Sequence, residues 1–161
     1  MNRVFFLFLI AFFLTSTLAA AQASSLAISY STSEKSKDSH STKETYSLVG
    51  NTMAYAVKHT GRRGPAQKDM EKTCVFTNSQ AESIYQKISE KHLDVTDSLI
   101  FNWPGNISPS SSVAITLTLT KGNKISKIKI KGSPDSLKDK TLYKNTVSLI
   151  YFIKPMVEDC R

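Results

Sequence analysis

Apolar and polar residues alternate with a period of two from Val113 to Thr120. Val113, Ile115, Leu117 and Leu119 fall on one side, and Ala114, Thr116, Thr118 and Thr120 on the other. Such alternation predicts a half-buried strand. Gly122-Asn123 marks a two-residue turn. Pairing Lys121 with Lys124 across it sets Leu117 opposite Ile128 and Ile115 opposite Ile130. The second face then pairs Thr118 with Lys127, Thr116 with Lys129 and Ala114 with Lys131. Both faces sort under one register, so a hairpin is expected over Val113–Lys131. The same logic applies to Glu44–His59 about Gly50-Asn51. If Val49 pairs with Thr52, Leu48 faces Met53 and Tyr46 faces Tyr55, with Thr45, Ser47, Ala54 and Ala56 on the other side. Shorter strands are expected at Leu26–Tyr30, at Lys72–Phe76 and within Asp94–Phe101, where Val95, Leu99 and Phe101 are available to a core.

The period lengthens to that of a helix in two places. Thr77-Asn78-Ser79-Gln80 has the form of a capping box. It opens a helix from about Asn78 to His92, with Ala81, Ile84, Tyr85, Ile88 and His92 on one stripe. Ser133-Pro134-Asp135 supplies an N-cap, a proline suited to the first helical position and an acid for the first turn. The helix expected there runs to about Lys154 with Leu142, Thr146, Leu149, Ile150 and Ile153 inward and Tyr143, Val147 and Phe152 widening the face. Pro155 should end or kink it.

Between these elements lie polar stretches. Residues 31–43 contain no apolar side chain and read as an exposed flexible loop or hairpin tip. Thr60–Glu71, with its glycines and proline, and Asn102–Ser112 read as loops. The fold expected is α+β, an antiparallel sheet built from β-hairpins with two amphipathic helices packed on one face. The two Gly-Asn turns, each followed by a capped helix, allow an internal duplication, but Gly-Asn turns are common and coincidence is the preferred reading.

The N-terminus changes the picture. Asn2-Arg3 precedes an unbroken apolar run, Val4–Leu14, and Leu18–Ala23 reads L-A-A-A-Q-A. A positive start, an apolar centre and small residues at Ala21 and Ala23 predict that residues 1–23 are a secretory signal peptide cut after Ala23, with Ala21 as the alternative point. The run is short for a membrane crossing, which needs about 20 apolar residues. Residues 24–161 should then form one domain without a transmembrane segment, in the periplasm or outside the cell. Cys74 and Cys160 are the two cysteines of the chain. A pair in an exported chain points to a disulfide. Two free thiols are the alternative, and a nucleophilic Cys74 would need a basic, partly exposed setting.

Charge narrows the partners. The chain has 21 Lys and Arg against 13 Asp and Glu, a formal +8, which loss of Arg3 lowers by one. The excess favours an anionic envelope component or an acidic protein. Nucleic acid is not expected, because no nucleic-acid motif is visible and exported proteins seldom meet it. Three places are binding candidates. Lys127, Lys129 and Lys131 form a row on the polar face of the second hairpin, where like charges repel unless an anion covers them; solvated edge protection is the competing reading. The stretch Lys58–Gly64 reads K-H-T-G-R-R-G, and its Arg62 and Arg63, flanked by Gly61 and Gly64, can bring guanidinium forks and backbone N–H groups to a phosphate or carboxylate; a solvated loop is the competing reading. Trp103, the sole tryptophan, sits in a W-P-G loop as a binding anchor or a residue folded back on a helix. Asn106-Ile107-Ser108 is a glycosylation sequon.

His40, His59 and His92 are scattered and suggest neither a triad nor a metal site. No cofactor is implied. The sequence therefore reads as an exported, basic, non-enzymatic binding protein that meets an unknown protein or an anionic envelope component. A small envelope hydrolase assembled from distant residues and a passive structural component are the alternatives.

Overall fold

A computed structural model describes residues 24–34, 40–61, 68–95, 98–102 and 111–160. The segment 1–23 expected to be a signal peptide, Arg62, Arg63, Trp103 and the sequon lie outside the described residues. The chain order is β1 (Ser25–Glu34), β2 (His40–Val49), β3 (Thr52–Gly61), β4 (Met70–Val75), α1 (Asn78–Glu90), β5 (Leu99–Asn102), β6 (Ser111–Lys121), β7 (Lys124–Gly132), α2 (Pro134–Leu137) and α3 (Thr141–Glu158). The fold is mixed α+β, with one seven-stranded sheet in the order β4-β3-β2-β1-β6-β7-β5. Every pairing is antiparallel except that of β5 with β7.

Alternation fixes the sheet's two faces. Across β1, Leu26 pairs with Leu48 and Leu119, and Ile28 with Tyr46 and Leu117. Tyr46 continues to Tyr55, Leu48 to Met53 and Met53 to Cys74. On the other wing Ile115 meets Ile130 and Leu117 meets Ile128. All these side chains are buried, and they share one core cluster with Ala81, Ile84 and Ile88 of α1 and Leu149, Ile150, Ile153 and Val157 of α3. Both turns rest on glycine in the left-handed region, Gly50 at φ 57° and Gly122 at φ 62°, which costs a residue without Cβ little.

Polar contacts fasten the helices. Thr77 caps α1 and Gln80 reaches back to the Thr77 N–H, closing the capping box. Lys72 Nζ donates to the Val157 and Glu158 carbonyls at 3.0 and 3.1 Å, satisfying acceptors at the negative end of α3. Asn145 Nδ2 donates to the Lys91 carbonyl at 2.9 Å, joining α3 to the end of α1. Cys74 and Cys160 form a disulfide with Cα atoms 6.0 Å apart, within the usual span for such a bridge. It ties β4 to the residue region just beyond α3. Among the described residues no helix is long and apolar enough to cross a membrane.

Several expectations need correction. The polar segment 31–43 is not wholly loop: Ser31–Glu34 extend β1 and His40–Lys43 extend β2, in register with each other. These residues are flanked by β6 and β3, so ladder hydrogen bonds satisfy their backbone without help from apolar side chains. Of the strand expected over Asp94–Phe101, Asp94, Val95 and Ser98 are not in a strand and Leu99–Asn102 is, with Phe101 42% exposed. His92 does not continue the α1 stripe. It takes φ 51° and is exposed, ending the helix in a left-handed turn in which Leu93 N–H bonds the Ile88 carbonyl at 2.9 Å. Leu93 enters the core instead. The single helix expected from Pro134 to Lys154 is two, α2 and α3. Pro155 does not end α3, because it lies in the last turns where its missing N–H would have served the carbonyl of Tyr151, a residue 68% exposed. The continuation brings Val157 into the core and Cys160 to Cys74.

Candidate functional site

The face opposite the core carries small side chains. Every second residue of β1, β2, β3 and β6 there is Ala, Ser or Thr over most of its length, between strand positions whose side chains are buried. The ladder arranges them in rungs. Lys127 stands beside Thr118, then Ala27, Ser47 and Ala54. Lys129 stands beside Thr116, then Ser29, Thr45 and Ala56. Lys131 stands beside Ala114, then Ser31, Lys43 and Lys58. Neighbouring strands lie about 4.8 Å apart, so Lys131 and Lys43 are separated by about 14 Å with two small residues between them.

Lys129 and Lys131 are exposed, as are Lys43 and Lys58, and Lys127 is half-buried. Among the paired positions of this face in the described residues, Glu71 of β4, beside Ala56, is the one carboxylate. The lysine row of β7 is not on a bare edge: β5 pairs with it from Ile128 to Lys131, setting Ile100 beside Lys129 and Asn102 beside Lys131. Lysines placed to protect an edge belong on a strand with an open side, a condition Lys129 and Lys131 do not meet.

The far end of this face opens into a cavity of about 380 Å³. Lys43 and Lys58 line it together with Ser31, Ser33, Ser41 and Thr60. Hydroxyls there are paired, Ser33 Oγ with Ser112 Oγ at 2.6 Å and Ser41 Oγ with Thr60 Oγ1 at 2.5 Å. Ser31 Oγ donates to the Ala114 carbonyl at 3.3 Å.

Lys43 is absent from the residues singled out in the sequence, and Lys58 figures there only as the start of the basic stretch Lys58–Gly64, not as a partner of Lys43. The signal was available: carrying the Gly50-Asn51 register outward along both strands places them opposite each other. Reading residues 31–43 as loop stopped the register short. Lys127, Lys129 and Lys131 share the open face with them, whereas Arg62, Arg63 and Trp103 are outside the described residues.

A second polar group sits on the core side. Glu44 accepts hydrogen bonds from Lys154 Nζ at 3.0 Å and from Tyr46 Oη at 2.5 Å. Tyr46 packs on Tyr55 with ring centroids 4.8 Å apart. Burial, then the hydrogen bond to Glu44, hold the Tyr46 hydroxyl far above its ordinary range. Burial lowers the affinity of Lys154 for its proton, but the hydrogen bond and charge of Glu44 outweigh it and the net shift is upward. Tyr46 thus stays neutral and Lys154 charged, and both carboxylate oxygens of Glu44 are engaged by the protein itself, an arrangement suited to clamping α3 onto β2. The histidines are dispersed: His40 Nε2 lies 3.8 Å from Glu34 Oε2, and His59 Nδ1 lies 3.2 Å from Thr42 Oγ1. Among the described residues no cluster of His, Cys, Asp and Glu could hold a metal ion.

A second cavity, of about 370 Å³, lies between β7, α2 and the start of α3, lined by Phe101, Ile130, Leu137, Leu142 and Tyr143 among others. No protein-family model matches the chain, and no curated protein matches its sequence.

Proposed function

We propose that residues 24–161 form one exported domain, non-enzymatic, that binds an anionic envelope component across the open face of its sheet. The observation that carries this reading is the placement of Lys129 and Lys131 on a strand with neighbours on both sides, facing a floor of Ala, Ser and Thr. A lysine row in that place loses its simplest structural explanation, while its mutual repulsion is relieved by a bound anion. The small floor admits a ligand close to the backbone, and the long flexible lysine stems can follow its charges. The apolar N-terminal run followed by A-Q-A supports export, and the Cys74–Cys160 disulfide fits an oxidising compartment.

The test is salt-dependent retention of the purified protein on a heparin column. The K127Q/K129Q/K131Q variant should elute at clearly lower salt. A control that removes equal charge elsewhere, K124Q/K138Q/K144Q, should shift elution less. Equal shifts in the two variants would make retention a matter of net charge and reject the face as a site.

A further inference from the structure

We infer that the cavity at the far end of the open face is a binding site for a phosphate or sulfate monoester on a small hydroxylated molecule, such as a sugar phosphate. This deepens the reading of the open face as an anion-binding surface. Lys43 and Lys58 are direct cross-strand partners. Their Cβ atoms therefore stand about 5 Å apart on the same side of the sheet, a placement that destabilises two like charges. Among the described residues neither ammonium has a carboxylate within 4.0 Å. Both line the cavity, and among the described residues no acidic side chain lines it with them. An oxyanion between the two ammonium groups, dianionic in a phosphate monoester and monoanionic in a sulfate monoester, would turn the repulsion into two charge-assisted hydrogen bonds.

The rest of the lining says what carries the oxyanion. Serine and threonine hydroxyls both donate and accept. Ser31, Ser33, Ser41 and Thr60 stand around the lysine pair; Ser31 keeps its lone pairs as acceptors, and the Ser33–Ser112 and Ser41–Thr60 pairs each keep one hydroxyl hydrogen to donate. A bare anion uses donors only, whereas the hydroxyl groups of a polyol use donors and acceptors alike. The volume agrees: about 380 Å³ is room for roughly a dozen waters at about 30 Å³ each, and falls in the size range of small-molecule sites.

The experiment is calorimetric titration of the disulfide-bonded protein at low salt with glucose 6-phosphate, glucose 6-sulfate, inorganic phosphate and glucose. The expected result is saturable binding of at least one sugar ester, tighter than inorganic phosphate, with no heat from glucose. The variant K58E should retain the fold, because it replaces a like-charge pair with an opposite one. It should weaken the ester by about tenfold or more, the scale of losing a hydrogen bond to a charged group. K58R, which keeps the charge, should bind within a few-fold of the parent. Absence of binding by both esters, or binding that K58E leaves unchanged, overturns the inference. Failure here with heparin retention still dependent on Lys127, Lys129 and Lys131 leaves the open-face reading standing. Ester binding with retention indifferent to those three lysines removes the wider reading and keeps the cavity alone.

Discussion

Oε1 of Glu44 holds the Lys154 ammonium at 3.0 Å, so a strand residue and a helix residue 110 positions apart are joined at the margin of the core. The Glu44 side chain is 13% exposed and that of Lys154 34%. The pair lies between the surface case, worth little, and the fully buried case, in which removing one partner strands a charge. E44Q should therefore cost about 1–3 kcal/mol, since it also weakens the bond from Tyr46. The check is urea unfolding of E44Q, K154M and the double variant. The double variant should lose less than the two single losses combined, because each already breaks the same contact.

The core-side tyrosines give a pH dependence of definite sign. Burial raises Tyr30 from 10.0 to about 12, with Tyr143, Tyr151 and Glu44 adding to it. Burial first, with a hydrogen bond and charge from Glu44, raises Tyr46 as well. Tyr55, Tyr85 and Tyr143 are also raised, and Lys154 is raised from 10.5. In each case the folded state binds its proton more tightly than the unfolded state. The contribution is complete below about pH 10 and is lost as pH rises through the folded values. Urea midpoints should be level in this respect from pH 7 to 9 and fall steeply from pH 10 to 12. Tyrosinate absorbance at pH 11 should rise sharply on addition of denaturant.

Reduction should weaken the fold broadly. The Cys74–Cys160 bridge closes a loop with a sequence separation of 86, for which chain entropy gives at most about 4–5 kcal/mol. C74S/C160S should melt well below the parent, and reductant should lower the parent's midpoint without changing that of the variant. Equal midpoints for oxidised parent and variant would show that the bridge adds nothing.

Export has its own readout. N-terminal sequencing of protein collected outside the cytoplasm should begin at or near Ser24. A sequence beginning at Met1 would contradict a cleaved leader.

How much of this was legible depended on where the chain advertises its pattern. Leu117 facing Ile128 and Tyr46 facing Tyr55 followed from alternation around a Gly-Asn turn, because one register had to satisfy both faces at once. The extension of β1 and β2 through Ser31–Glu34 and His40–Lys43 was not legible. Those residues owe their strand conformation to neighbours on either side rather than to their own hydrophobicity; the Lys43–Lys58 pair alone was within reach, by carrying the Gly50-Asn51 register outward. The parallel docking of Leu99–Asn102 on β7 was likewise hidden, since pairing between distant segments leaves no local period. Pro155 misled for a related reason: a proline near an exposed helix end forfeits a hydrogen bond that water replaces. The lysine row was visible as a row, but only the sheet order showed that β5 lies beside it.

Amide chemical-shift mapping of the ¹⁵N-labelled protein with a sulfated heparin oligosaccharide tests the open face most directly. Binding there should move Thr116, Thr118, Lys127, Lys129 and Lys131 together, reversibly and less at high salt, while α1 and α3 stay still. Perturbations confined to the helices, or none at saturating oligosaccharide, would contradict it.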